Sequence, residues 1–145
     1  MSKERFLKRI ALAEETLAPF GVGSYTKGIT LIIGEQASYP LNSPEQKPFC
    51  CTKGCSGWLN RLFDIEDVDE SKLFWVNALN NDGSSINLGV LVNDLSPKKV
   101  IALGKVAQKE CTIQGVNHIQ CYHPQYWKRF RNKQRYPLLD MLEKI

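Results

Sequence analysis

Apolar residues along this chain switch repeatedly between helical spacing and short continuous runs. Phe6, Ile10, Ala13 and Leu17 fall on one face at helical spacing, predicting a helix over residues 3–17 with Ser2 as its cap. Pro19 and the glycines Gly21, Gly23 and Gly28 end it in a loop. The β-branched run from residue 29 to 33 is too short for a self-burying helix and reads as a buried parallel strand. Gly34 then lets the chain turn sharply at the strand's carboxyl end. Pro40, Pro44 and Pro48 make residues 37–49 a rigid extended loop. Residues 54–57 open a helix, capped by Ser56 or Thr52, whose buried stripe is Trp58, Leu59, Leu62 and Phe63.

An acidic linker over 64–70 leads to a second buried strand at 73–76, with Asn77 at its end. Residues 80–83 read as a turn and 84–95 as a helix stopped by Pro97. A third strand is expected at 99–103, closed by Gly104, then a short helix at 105–111 and a fourth strand at 117–122. His123 and Pro124 stand at that strand's end, and the tail supplies one or two helices, the last starting at Pro137. Four strands alternating with helical stretches predict an α/β fold: a three-layer α/β/α domain over 1–145 with a central, mostly parallel sheet of about four strands. Parallel strands bring their carboxyl ends to one edge, so Glu35, Asn77, Gly104 with Lys105, and His123 are expected to converge on one pocket.

Those residue types suit one kind of chemistry, in which a planar heterocycle is held and its bond to a sugar is cleaved. An amide such as Asn77 reads a base edge by paired hydrogen bonds, and Phe49 can stack on the base face. His123 can donate to a ring oxygen as negative charge builds there, while Glu35 stabilises a cationic sugar or positions a water. Each has an ordinary role open to it as well. Glu35 can face water from a loop, Asn77 can cap a turn, Phe49 can fill the core, and His123 can bond a backbone carbonyl.

The 145 residues are enough for one real core without disulfides. No run is apolar enough to span a membrane and no signal peptide is visible, so the expected compartment is the cytoplasm, or the host-cell cytoplasm if the chain is viral. The five cysteines, Cys50, Cys51, Cys55, Cys111 and Cys121, are odd in number and include no CxxC pair. Reduced thiols are expected, with no metal and no cofactor. The net charge of +4 matters less than its placement. Between His123 and Tyr136 stand Lys128, Arg129, Arg131, Lys133 and Arg135, with no acid, and with Tyr126, Trp127, Phe130 and Tyr136 interleaved. Basic and aromatic side chains on one segment suit phosphate contact and insertion between bases; the alternative is a solvated helix face with its aromatics in the core.

Five short segments in order resemble the uracil-DNA glycosylase superfamily. Gly34-Glu35-Gln36-Ala37-Ser38 resembles its first motif, nearest to the Gly-Glu-Ala-Pro-Gly form of the thermophile-type branch. Pro48-Phe49 followed by the segment 54–59 resembles that branch's Pro-Phe-Val-Gly region. Val76-Asn77 matches the strand-end asparagine, the segment 100–107 resembles the Leu-Gly-x-x-Ala turn, and His123-Pro124-Gln125 resembles the His-Pro-Ser motif. The resemblance implies base flipping and hydrolysis of an N-glycosidic bond in DNA. It makes Glu35 and His123 catalytic, places Gly34, Gln36, Phe49 and Asn77 around the base, and sets the residues after Pro124 against the duplex. Lys105, Gln125, Tyr126, Lys128, Arg129 and Arg131 are then the expected DNA contacts, with the chain acting as a monomer. Three departures bear on the substrate. Gln36-Ala37-Ser38 lacks the stiffening proline, Gln125 stands for serine, and the branch's early cluster cysteines are absent. A modified pyrimidine is therefore an alternative to uracil. A catalytically inactive module binding a modified base or a repair partner, and a small-molecule nucleotide hydrolase, are the competing functions; the last would not need the basic aromatic tail.

Overall fold

A computed structural model describes residues 2–36, 48–50 and 54–143. Five strands form one sheet in the order β1-β3-β2-β4-β5. β2 (Thr30–Gln36), β3 (Leu73–Leu79), β4 (Lys99–Leu103) and β5 (Ile119–Cys121) are mutually parallel, while β1 (Val22–Gly23) pairs antiparallel with β3. The chain runs from β2 outward to β3, then returns across β2 to β4 and β5. The strand order therefore reverses between β2 and β4.

Helices cover both faces, giving three layers. On one face α1 (Ser2–Glu15), α2 (Gly54–Ile65), α5 (Pro124–Phe130) and α6 (Pro137–Glu143) pack over Ile32, Trp75, Ile101 and Leu103. On the other, α3 (Leu88–Leu95) and α4 (Lys105–Ile113) pack over Leu31, Ile33, Phe74, Val76 and Ala102. Successive strand residues point to opposite faces, so a strand covered on both sides must be apolar throughout. That is why β2, β3 and β4 read as unbroken hydrophobic runs.

Several local expectations are corrected. β1 is an additional strand, too short and glycine-containing to show any period. α1 ends at Glu15, because Leu17 takes φ +56° and Ala18 N–H returns to the Ala13 carbonyl at 2.8 Å; Leu17 is exposed, not on the buried stripe. Ser2 is the first helical residue. Ser56 lies inside α2 and so is not its cap, and Trp58 and Leu62 are only partly buried. Asn60 takes a fully buried place on that helix instead. α3 starts at Leu88, not residue 84, because Asp82 accepts from Ser84 N–H at 2.9 Å and Asn87 caps the helix through Val90 N–H at 3.2 Å. α4 runs on to Ile113, and β5 is shorter than expected. Cys51, Thr52 and the proline-rich stretch 37–47 lie outside the described residues.

Gly34 does not turn the chain. β2 continues through it to Gln36, and Gly34 pairs in register with Asn77, itself inside β3. A side chain at Gly34 would meet Asn77 Oδ1 at 2.9 Å and the Phe49 ring at 3.1 Å. The glycine is required for empty space rather than for backbone freedom.

Candidate functional site

Two clusters meet at the carboxyl edge of the sheet. The first is Gly34, Asn77 and Phe49. Asn77 is nearly buried, and among the described residues its side-chain amide has no hydrogen-bond partner. The amide is not among the fully buried unpaired groups, so its donor and acceptor are open to a ligand. The Phe49 ring sits beside it, edge-on to Trp75 at 5.3 Å between centroids.

Phe49 is held from behind. Its backbone takes φ +56°, a sparsely populated conformation for a bulky residue. Its carbonyl accepts from Arg9 Nη1 at 3.1 Å and from Asn60 Nδ2 at 2.9 Å. Arg9 is 1% exposed, bonds Glu70 through Nε and Nη2, and lies 4.4 Å over the Trp75 ring. Glu70 also accepts from Trp75 Nε1 and from Arg5. These groups secure the Phe49 backbone through its carbonyl.

The second cluster is Glu35, Gly104, Lys105, Tyr126 and His123, which line a cleft of about 690 Å³ with Gln108, Gln120, Cys121 and Tyr122. The Phe49 and His123 ring centroids are 6.3 Å apart, so the two clusters adjoin. Gly104 has φ +89°, and a side chain there would come within 2.9 Å of His123 Cβ. The imidazole lies directly against that bare backbone.

His123 caps α5: its Nδ1 accepts from Gln125 N–H at 3.1 Å. A nitrogen that accepts carries no proton, so the neutral ring has its proton on Nε2. Burial pushes the His123 pKa below its ordinary value, although the nearby Glu35 carboxylate pulls it the other way. The result is a neutral donor beside a carboxylate. Cys55 is half-buried; burial pushes its thiol pKa up, with the charges of Lys128 and Glu35 acting on it in opposite senses.

Thus Gly34, Glu35, Phe49, Asn77, Lys105, Tyr126 and His123 are brought to one edge. Gln36 is not: it is exposed, and its amide donates to the Asn81 carbonyl at 3.2 Å. Gln125 contributes its backbone N–H to His123. Lys128, Arg129 and Arg131 lie on the last turn and C-cap of α5, with Arg129 and Arg131 exposed and Lys128 half-buried. The basic aromatic tail divides. Arg135 bonds Glu66, just past the end of α2, and Asp140 of α6, while Trp127 and Tyr136 are core residues. Trp127 Nε1 donates to the Gln134 carbonyl at 3.0 Å and the Tyr136 hydroxyl to the Tyr122 carbonyl at 2.6 Å. Only Tyr126 and Phe130 of the four interleaved aromatics remain exposed.

Sequence reasoning missed Arg9, Asn60 and Tyr122. The first two act through partners distant in the chain, which no local pattern marks; Tyr122 directly precedes His123 and is legible by that adjacency. Among the described residues no group of three or more His, Cys, Asp or Glu is placed to hold a metal ion. No helix among them is long and apolar enough to cross a membrane. Compared with known proteins, the chain matches no family model and no curated sequence.

Proposed function

We propose that this chain is a monofunctional DNA glycosylase of the uracil-DNA glycosylase type, hydrolysing the N-glycosidic bond of uracil or a modified pyrimidine. The observation that carries the proposal is the neutral His123, its proton on Nε2, adjoining the Phe49 ring and the Glu35 carboxylate. In this reading a flipped pyrimidine stacks on Phe49 and pairs with the open Asn77 amide. Gly34 leaves the room for its edge. As the C1′–N1 bond breaks, its electron pair goes to the base, whose oxygen accepts from His123 Nε2–H. Glu35 stabilises the positive charge on the sugar and orients the water, whose oxygen bonds C1′ and whose proton is released. A neutral donor fits this role, because it strengthens its bond only as the charge develops.

The DNA partner is supported by Lys105 in the cleft wall and by Lys128, Arg129 and Arg131 at the C-terminal end of α5, the helix that His123 caps, and we take the working unit to be a monomer. The test is single-turnover cleavage on oligonucleotides carrying a panel of modified pyrimidines, beside equilibrium binding. His123→Ala and Glu35→Gln should each lower the rate ~100–1,000-fold with binding nearly intact. Cleavage at the parent rate by both variants sinks the catalytic assignment. A parent protein that cleaves nothing in the panel but binds one modified base tightly is instead a binding module of the same fold.

A further inference from the structure

Tyr122, Tyr126 and Phe130 form a continuous row of exposed rings beside the cleft. They are 55%, 39% and 60% exposed. Tyr122 and Tyr126 stack at 5.3 Å with 16° between their planes, and Phe130 follows Tyr126 at 5.3 Å. The row is built, not accidental. Tyr126 and Phe130 lie four apart on α5 and share its outer face. Tyr122 is backed by the buried Trp127 ring at 5.3 Å, and its carbonyl is held by the Tyr136 hydroxyl. α5 turns Trp127 into the core yet leaves two aromatics in water. Contiguous exposed apolar surface of this kind marks an interaction site.

The surrounding charge says what covers it. Lys128, Arg129, Arg131 and Lys133 follow the row in sequence, Lys105 lines the same cleft as Tyr122 and Tyr126, and residues 122–139 contain no acid. An anionic partner with flat apolar faces is a nucleic acid whose bases are unpaired; a duplex hides its base faces and a second copy of this chain would bring the same positive charge. We propose that Tyr122, Tyr126 and Phe130 are a stacking platform for unpaired bases, so that the chain engages single-stranded DNA in preference to duplex. This rests on the DNA reading of the neighbouring cleft but not on its chemistry. Bases flanking the one in the pocket stack along the row, and the cations follow the backbone.

The experiment is fluorescence anisotropy with a labelled oligothymidine, which carries no cleavable base, and with a duplex of equal length. The single strand should bind at least tenfold more tightly. Tyr126→Ala and Phe130→Ala should each weaken single-strand binding roughly 5- to 150-fold, the span of base–aromatic stacking, with an unchanged salt slope. Tyr126→Phe, which keeps the ring, should bind like the parent. Equal affinity for duplex, or alanine variants that bind single strands like the parent, overturns the platform. So does a concentration-dependent rise in mass by sedimentation that Phe130→Ala abolishes, because the row would then be a dimer face. Cleavage of a modified duplex without oligothymidine binding would remove this inference and leave the glycosylase standing. Oligothymidine binding without cleavage of any base would do the reverse.

Discussion

Arg9→Met is the most informative single change away from the cleft. The arginine is 1% exposed and makes bonds to Glu70, a 3.1 Å bond to the Phe49 carbonyl and a face contact with Trp75. Methionine has a similar reach and fills the space without charge. Removing one partner of a buried ion pair typically destabilises by ~3–5 kcal/mol. Here Glu70 keeps Arg5 at 2.7 Å and Trp75 Nε1 at 3.1 Å, so it is not left uncompensated. That places the pair's share at the low end, about 3 kcal/mol. The cation's attraction to the Trp75 face overlaps with this figure and is not added to it. Domains of this size rest on ~5–15 kcal/mol in all, so the melting temperature should fall by about 10 °C. Urea unfolding followed by tryptophan fluorescence measures the loss, with Arg135→Ala as control. Arg135 pairs with Glu66 and Asp140 at 42% side-chain exposure, so solvent screening should keep its loss under about 1 kcal/mol. The rate consequence is separable: Phe49 loses its Arg9 bond and keeps only that to Asn60, so under the proposed function Arg9→Met should cleave more slowly at temperatures where it is fully folded. An Arg9→Met loss below about 1 kcal/mol, equal to the control, would refute the account of a buried network.

Gly34→Ala should bind and cleave poorly, because the methyl meets Asn77 Oδ1 at 2.9 Å and the Phe49 ring at 3.1 Å; parent kinetics would show that the slot is not used. His123 should titrate below 6.5 when followed by imidazole NMR, since burial lowers its pKa. Its neutral form then persists below the unfolded value, and stability is lost only as pH falls from about 6.5 toward the folded pKa, where the unfolded chain takes up the proton first. A midpoint at or above 6.5 contradicts the burial argument. Changing Lys128, Arg129 and Arg131 together to alanine should flatten the salt dependence of DNA binding, by roughly one unit of slope for each phosphate no longer neutralised, and an unaltered slope would remove them from the interface. Cys111 and Cys121, whose pKa values burial pushes up to about 11, should resist alkylation at pH 8 until urea unfolds the protein; mass spectrometry of the alkylated native chain checks this.

The sheet is legible in the sequence because buried parallel strands leave an unmistakable trace. The apolar pattern marks Lys99–Leu103 with its observed bounds, and it also marks the helix starts at Lys105 and Pro137. β1 is not legible, since two residues cannot show a period and its pairing with Trp75 and Phe74 is a long-range event. The pattern puts the strand ends on the correct edge but misleads at Gly34. Glycine signals either backbone freedom or missing bulk, and only the positions of Asn77 and Phe49 distinguish them. Helical phase is what separates the aromatics of the tail. Tyr126 and Phe130 share a face four residues apart, whereas Trp127, one residue on, turns inward. In the sequence Arg135 looks like one more solvent-facing cation, because its partner Glu66 is far away along the chain. The support behind Phe49 joins α1, α2 and Glu70, so no window of sequence contains it.

The reversal of strand order between β2 and β4 divides the site by origin. Gly34 and Asn77 belong to the β2–β3 side, and the loop bearing Phe49 lies between those two strands in the chain. Gly104 and His123 belong to the β4–β5 side, with α4 and α5 rising from the same edge. The groups that would choose a base and the group that would release it are therefore carried by separate, successive stretches of polypeptide. Variation in one half can reshape the slot without disturbing the imidazole, its tautomer or its cap. Under the proposed function, a scaffold arranged this way can acquire a new base preference by substitutions at Gly34, Phe49 and Asn77, while Glu35 and the half that carries His123 are inherited unchanged.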